Sequence, residues 1–218
     1  MLADLVDRLA GEVVLRHVPG RRVLDLGHGA PMVTQWVEER ASTQTVVDAI
    51  DLGRGGEVRV PIPDRSFEVV YCLRTLPHLG RDEESSRRAA GSALGEIARL
   101  LCPDGTALVQ FDNPRSLWGL YHGIRHPITA VERGSLVVDS DRGITRFDTL
   151  GRFKRMLPEE LHLSRLHGIR VAVHLPGLLR VPIVGRMLEA AEWFARDRSL
   201  LNGFGAHLLV ELRKVEVG

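Results

Sequence analysis

The chain has 218 residues, of which 44% are hydrophobic and 26% are charged, and its formal net charge is +1. These values are typical of one globular domain, and the charge difference between the two halves of the chain is too mild to indicate a nucleic-acid-binding or membrane-binding protein. We therefore expect a single domain over residues 1–218 that can fold without disulfides.

The cysteine, histidine and apolar content indicates a reducing compartment without a metal site. Cys72 and Cys102 match neither a zinc signature nor a disulfide framework. His122 and His126 are four residues apart, but neighbouring glycine and proline disfavour a shared helix, so we read them as ordinary loop residues. The N-terminal segment is not typical of a signal peptide, and the prolines in 171–185 argue against a membrane span. We expect a cytoplasmic protein with no membrane span.

Hydrophobic periodicity predicts alternating helices and strands along the chain. Residues 2–17 have apolar side chains at helical spacing, and the apolar run 21–27, closed by a glycine, is typical of a buried parallel strand. The other predicted elements are a helix at 31–41, strands at 45–53 and 67–73, a helix at 82–101, a strand at 106–111, a β-like patch at 135–139, a helix at 149–166, a strand at 169–175, a helix at 184–196 and a strand at 203–215. The alternation predicts an α/β domain with a mostly parallel sheet.

The segment VLDLGHGAP places Gly27 and Gly29 between a predicted strand and a predicted helix. Glycines at such a junction permit a sharp turn and the close approach of a nucleotide-type ligand, although they also occur for structural reasons alone. A dinucleotide site of the G-x-G-x-x-G type would need glycine where this chain has Met32. A site for S-adenosylmethionine (SAM) has no such requirement. Asp51, at the end of the second strand, is placed to bind the ribose hydroxyls of either ligand.

Four segments decide between these ligands: VLDLGHG, VVDAIDLG, PIPDRSFEVVYCLRTLPHL and EIARLLCPDGTALV. Together they resemble a class I SAM-dependent methyltransferase of the small-molecule type 11 group, and residues 21–111 carry the resemblance. It implies a Rossmann-like sheet of seven strands with helices on both faces. In that fold the strand at 106–111 is central and the last strand runs antiparallel.

The resemblance also implies the cofactor, the substrate class and the site residues. The cofactor is SAM and the partner is a small-molecule methyl acceptor. The matching cofactor-binding positions are Asp25, Gly27, Gly29, Asp51, Leu73 and Arg74. Asp25 has an equally good structural interpretation, in which it only holds the loop through backbone hydrogen bonds. His78 matches a position near the substrate mouth, and we predict it as the catalytic base for an oxygen nucleophile.

Residues after the central strand are predicted to form the substrate side of the site. Ligands of open α/β sheets bind beyond the carboxyl ends of the strands. The predicted substrate-lining residues are Phe111, Trp118 and Tyr121. Residues 112–147 and 176–198 are predicted to cover the substrate.

Departures from the family pattern support an alternative function. Pro31 stands where the family has a third glycine, and proline offers no backbone N–H. The family's adenine-side acid is absent from the region of GEVRV (56–60), and the connection 52–66 is short. The alternative is a methyltransferase-like protein that binds a partner, or catalyses another reaction, without methylation. A nicotinamide-dependent oxidoreductase is disfavoured by Met32 and by the CPDG turn.

Overall fold

Helices and strands alternate through most of the chain. The computed structural model describes residues 2–48, 57–116, 135–140, 143–173 and 176–216. The helices are α1 (Leu2–Leu15), α2 (Pro31–Glu38), α3 (Glu83–Leu100), α4 (Leu150–Met156) and α5 (Pro182–Arg196). The strands are β1 (Arg22–Gly27), β2 (Thr43–Asp48), β3 (Phe67–Cys72), β4 (Leu101–Asp112), β5 (Ser135–Ser140), β6 (Gly143–Asp148), β7 (Leu161–Ile169) and β8 (His207–Lys214). Short 3₁₀ turns lie at Leu76–His78, Pro176–Arg180 and Asn202–Phe204.

The strands of the described residues form one mixed sheet. Strands β2, β1, β3 and β4 are adjacent in that order and parallel, and the sheet continues through β8 and β7 in antiparallel pairings. The β5–β6 hairpin joins at the end of β4, where Asp112 pairs with Phe147. This arrangement confirms the expected Rossmann-like fold, in which β4 lies inside the sheet and the last strand is antiparallel. The hairpin brings the described strands to eight, where the sequence predicts seven.

Apolar side chains fill both faces of the sheet. On one face α3 and α4 pack through Ile97 and Phe153 in a cluster that includes Leu24 of β1. On the other face α1 and α2 contribute Leu9 and Val33 to a second cluster. Because both faces are covered, ligands can reach the parallel strands at their ends, and the carboxyl ends of β1, β3 and β4 define one edge, called the carboxyl edge below.

The short connection before β3 is held by polar side chains of α3. The Ser92 hydroxyl accepts the backbone N–H of Val58 at 2.8 Å, and the Glu96 carboxylate accepts that of Val60 at 2.7 Å. Arg99, one turn further along α3, donates to the carbonyl oxygen of Val60 at 3.1 Å. Hydrogen bonds to one helix thus fix a segment that forms no helix or strand of its own among residues 57–66.

The predicted helix at 149–166 is wrong in its second half. Helix α4 begins after Thr149, whose hydroxyl accepts the backbone N–H of Arg152 at 3.2 Å, and it ends at Met156. Pro158 disfavours helical geometry in the residue before it, which explains the early end.

The predicted strand at 169–175 is also misplaced, because β7 covers Leu161–Ile169 instead. A register shift between Leu163 and Arg165 interrupts the apolar alternation of β7, so its sequence has no clear period of two. After β7, the backbone N–H groups of 171–173 bind the Glu192 carboxylate of α5 at 2.6–2.9 Å rather than another strand.

No helix in the described part of the chain is long and apolar enough to cross a membrane.

Candidate functional site

The loop after β1 packs against the segment after β3, and two glycines make this contact possible. Gly27 has a φ of +106°, in the region that favours glycine, and a Cβ at this position would overlap the side chain of Thr75. A Cβ on Gly29 would overlap the carbonyl oxygen of Leu73. The Thr75 hydroxyl donates to the same carbonyl at 3.0 Å. Both glycines therefore let the loop approach residues 73–75 closely at the carboxyl edge.

Asp25 holds this loop from inside the sheet. Its side chain is 1% exposed, and it accepts the Thr34 hydroxyl at 2.5 Å and the backbone N–H of His28 at 3.3 Å. Burial raises the pKa of Asp25, although the hydrogen bond from Thr34 opposes the shift. Tyr71 lies beside this carboxyl group, and burial together with the Asp25 charge raises the pKa of the Tyr71 hydroxyl. Asp25 thus fixes the start of α2 relative to β1.

Arg74 and Gln110 each bury a side-chain nitrogen that has no hydrogen-bond partner among the described residues. Arg74 follows β3 with a φ of +52°, and its Nη2 lies 3.1 Å from Oδ1 of Asp7 on α1, whereas its Nε has no partner. Gln110 is buried on the neighbouring strand β4, and its Nε2 has no partner either. Unpaired buried donors are unfavourable, so both nitrogens are suited to an acceptor group of a ligand.

Two predicted site residues have core side chains. Leu73 is 1% exposed and belongs to the cluster under α1, so only its backbone faces the glycine loop. The Phe111 side chain is equally buried and stacks on Phe153, with ring centroids 4.4 Å apart and an interplanar angle of 7°. The substrate-lining prediction for Phe111 is therefore replaced by a packing role, because its side chain points to the α3 and α4 face.

His78 lies exposed in the 3₁₀ turn after β3, next to the β5–β6 hairpin. Its Nδ1 is 3.2 Å from the carbonyl oxygen of Ile144 on β6. A carbonyl oxygen only accepts, so this contact is a hydrogen bond in the tautomer that carries its proton on Nδ1, which leaves a lone pair on Nε2; the Thr145 hydroxyl also lies 3.4 Å from Nδ1. The hairpin thus orients an imidazole that can accept a proton at Nε2.

A second oriented imidazole, at His207, was missed by the sequence analysis. His207 and Asp112 are register partners at the carboxyl edge, where β8 begins and β4 ends, and Nδ1 of His207 lies 2.6 Å from Oδ1 of Asp112. The sequence contained a basis for predicting this pair. An antiparallel last strand beside the central strand places the first residue of the last strand opposite the last residue of the central strand. The predicted central strand stopped one residue short, at Phe111, and so left Asp112 out.

The other predicted residues lie outside the described part of the chain. These are the ribose-binding Asp51, the substrate-lining Trp118 and Tyr121, and the loop residues His122 and His126. Among the described residues, the carboxyl edge brings together Asp25, the glycine pair, Arg74 and His78, as the sequence predicts for neighbouring strand ends.

Comparison with known proteins gives a family-model match for part of the chain. Residues 24–109 match the type 11 family model, which is described as a methyltransferase domain. This segment contains α2, β2, β3, α3 and most of β1 and β4, and therefore the loop of Gly27 and Gly29 and His78. A search of curated protein sequences gave no significant match.

Solved structures of similar fold cover nearly the whole chain at low identity. The 1,6-didemethyltoxoflavin N1-methyltransferase of Burkholderia thailandensis, with that compound and S-adenosylhomocysteine bound, has a TM-score of 0.57 at 16% identity, over 97% of this chain and 79% of that one. A SAM-dependent methyltransferase of Mesorhizobium loti has a TM-score of 0.56 at 15% identity, over 96% and 98%. The cyclase SpnF has a TM-score of 0.51 at 17% identity, over 97% and 82%. At these identities the comparison establishes a shared fold.

Proposed function

We propose that this chain, whose residues 24–109 match the type 11 methyltransferase-domain model, binds SAM and transfers its methyl group to a small-molecule acceptor. The observation that carries the proposal is the composition of the carboxyl edge inside the matched segment. The Gly27–Gly29 loop follows β1, and two buried donors without partners among the described residues lie on Arg74, just after β3, and on Gln110, near the end of β4. A small-molecule acceptor is proposed because a structural neighbour was solved with such a compound and S-adenosylhomocysteine together.

The described residues fit the cofactor through their unpaired donors. Nε of Arg74 and Nε2 of Gln110 are suited to bind the carboxylate of an amino-acid group, and SAM carries one. By its resemblance to the family pattern, Asp51 is the acid proposed to bind the ribose hydroxyls. When bound, SAM supplies an activated methyl group on its sulfonium. The chain itself has to orient the acceptor atom toward that group, and alignment of this kind lowers a barrier by about 7 kcal/mol or more.

We propose His78 as the group that accepts the proton lost by an oxygen or nitrogen acceptor on methylation. The Ile144 carbonyl holds its Nδ1–H, which directs the Nε2 lone pair away from β6. His207 has the same potential, since Asp112 holds its Nδ1. Methyl-labelled SAM and a panel of phenols, amines and thiols test the assignment. We expect His78→Ala to reduce turnover by about 10²-fold or more and His207→Ala to have a smaller effect. The reverse order would move the role to His207.

Cofactor binding is tested by calorimetric titration with S-adenosylhomocysteine. We expect micromolar affinity for the unmodified protein and an affinity about tenfold lower for Gln110→Leu, the loss of about one hydrogen bond to a charged group. Gln110→Leu is preferred over an Arg74 variant because removing Arg74 would leave the buried Asp7 carboxylate without its ion pair. Arg21→Gln, at the opposite edge of the sheet, is the matched control and should bind as the unmodified protein does.

A second candidate function is a methyltransferase fold that performs no methylation. Two observations favour it: Pro31 begins α2 without an N–H to offer, and the glycine pair faces Thr75 and Leu73. The absence of any binding at millimolar S-adenosylhomocysteine would decide for this candidate. Pro31→Gly separates the two further, because it restores a donor and should improve SAM binding only in a functional cofactor site.

A further inference from the structure

Helix α5 presents an apolar stripe to solvent. Ile183, Met187 and Phe194 are spaced by four and seven residues, which places them on one helix face, and the side chains are 60–74% exposed. Leu200 and Phe204, in the turns after the helix, are also exposed, at 85% and 59%. Single exposed apolar residues are ordinary, but a contiguous stripe of this kind marks a binding surface.

The stripe is not a consequence of a loosely attached helix. The opposite side of α5 carries Glu192, which is fully buried and accepts the backbone N–H groups after β7. The Arg196 guanidinium, also buried, donates to the Leu9 carbonyl oxygen and to Glu12 of α1. Firm anchoring of one face means that the exposure of the other face is a stable property of the fold.

The charge exposed around the stripe is positive. Arg180, Arg186 and Arg198 are exposed beside it, and the Arg198 guanidinium lies 4.5 Å over the ring of Phe194. The acids of the same segment have partners already: Glu189 binds Arg8 at 3.1 Å, and Asp197 binds His167 and Arg196. A binding partner of this face should therefore present both apolar groups and negative charge.

We propose that the α5 face, defined by Ile183, Met187, Phe194, Leu200 and Phe204, docks on an anionic lipid bilayer. A helix with apolar side chains on one face and arginines beside them lies in the interface plane of such membranes, with its apolar face among the headgroups and acyl chains. A second copy of this chain fits less well, because a twofold contact through the same face brings arginines against arginines. The proposal does not rest on the methyl transfer proposed for the carboxyl edge, and it concerns the solvent-facing side of the segment 176–198 that the sequence predicts to cover the substrate.

Vesicle co-sedimentation of the full chain tests the proposal. Phosphatidylcholine vesicles containing phosphatidylglycerol should retain the protein at least tenfold better than phosphatidylcholine alone, and added salt should weaken the retention. Arg186→Gln should lower retention about fivefold, as expected for one basic residue at an anionic surface. Ile183→Asn combined with Met187→Gln should lower it at least tenfold. Val46→Asn, an exposed apolar residue on β2, is the control and should leave it unchanged.

Three outcomes would overturn the proposal. One is equal retention of the double variant and the unmodified protein; a second is no retention by either vesicle type. The third is a dimer in sedimentation velocity that the double variant abolishes, which would assign the face to a second copy. Both changed side chains are exposed, so unchanged melting of the double variant would exclude unfolding as the cause of any loss.

Discussion

Gly27 and Gly29 meet two different constraints in the loop after β1. At Gly27 the backbone itself requires glycine, because its φ is positive and the space for a Cβ is filled by Thr75. At Gly29 only the space is restricted, by the carbonyl oxygen of Leu73. Glycines predicted as ligand contacts thus also hold two neighbouring loops together. The sequence identified their positions, but it could not reveal that the close approach is to the Thr75 side chain and the Leu73 backbone of the same chain.

Gly27→Ala should destabilise the protein more than Gly20→Ala. Both positions have a positive φ, which costs an alanine about 1–2 kcal/mol, but a Cβ at Gly20 would meet no atom within 4 Å. At Gly27 the overlap with Thr75 should add about 1–3 kcal/mol. Urea unfolding of the two variants measures the difference. Equal losses would mean that the loop and residues 73–75 move apart at little cost.

Asp25→Asn should separate cofactor binding from stability. Burial raises the pKa of Asp25, so the folded state favours the protonated carboxyl group. As pH rises from the unfolded pKa toward the folded pKa, the free energy of unfolding falls, because the buried group has to ionise. A neutral amide removes this effect and can still interact with Thr34. We expect melting at pH 7 to be unchanged or higher, with a smaller difference from the unmodified protein near pH 4. Affinity for S-adenosylhomocysteine should fall about tenfold if the charge contributes to the site.

A lower melting temperature with unchanged affinity would instead assign Asp25 to loop structure alone. That result would select the structural interpretation of this residue that the sequence left open.

At the scale of elements, α5 depends on one buried carboxylate. Glu192 accepts three backbone N–H groups, from Val171, Ala172 and Val173, at 2.6–2.9 Å. The helix is thereby fixed to the chain where β7 ends. An N–H without a partner at this depth is unfavourable, so the interaction is worth more than a surface ion pair.

Glu192→Gln should therefore destabilise the fold by about 2–4 kcal/mol, because the amide presents a donor where only acceptors fit. For a chain of this size that corresponds to a fall in melting temperature of roughly 4–16 °C. Glu189→Gln is the matched control on the same helix. Its exposed pair with Arg8, at 3.1 Å, should be worth less than about 1 kcal/mol. Similar losses for both variants would contradict the anchoring role of Glu192.

The elements that sequence predicted well are those with uninterrupted periodicity or clear ends. Strand β3 and helix α5 were placed within two residues at each end, and Pro31 marked the first residue of α2. Strand β7 was missed because its register shift disrupts the period of two, and because the more apolar residues 171–173 after it were taken for the strand. The backbone N–H groups of these residues donate to the Glu192 carboxylate of α5. This contact is long-range in sequence, so no local pattern predicts it.

At the scale of the whole molecule, a cluster of charged side chains joins the first helix to the last third of the chain. The Asp197 carboxylate, after α5, accepts hydrogen bonds from Nδ1 of His167 at 2.6 Å and from Nη2 of Arg196 at 2.8 Å. Arg196 reaches Glu12 of α1 at 2.8 Å. Glu211 of β8 lies 3.7 Å from Nε2 of the same buried His167. The cluster links α1, α5, β7 and β8, so its ionisation should affect global stability.

This cluster predicts a loss of stability in acid. Partial burial opposes ionisation of Asp197, but hydrogen bonds from Arg196 and His167 lower its pKa to about 2, from an ordinary value of 3.8. The His167 and His17 imidazoles likewise hold the pKa of Glu211 below its usual range. Groups with depressed pKa values stabilise the fold above their unfolded pKa, and this contribution is lost as pH falls toward the folded value. Melting temperature should therefore decline between about pH 5 and pH 2.

Asp197→Asn tests how much of this acid sensitivity the cluster carries. Because 41% of the Asp197 side chain is exposed, water screens its ion pairs, and we expect a loss of about 1 kcal/mol at pH 7 rather than the full value of the pKa shift. The variant should lose less on acidification than the unmodified protein, so the two melting curves should converge near pH 2. Glu159→Gln, in the exposed turn before β7, is the control and should follow the unmodified protein throughout. The variant has no carboxylate at position 197 that could take up a proton on unfolding. If its melting temperature nevertheless falls with pH in parallel with that of the unmodified protein, the carboxylates responsible for the acid sensitivity lie elsewhere in the chain.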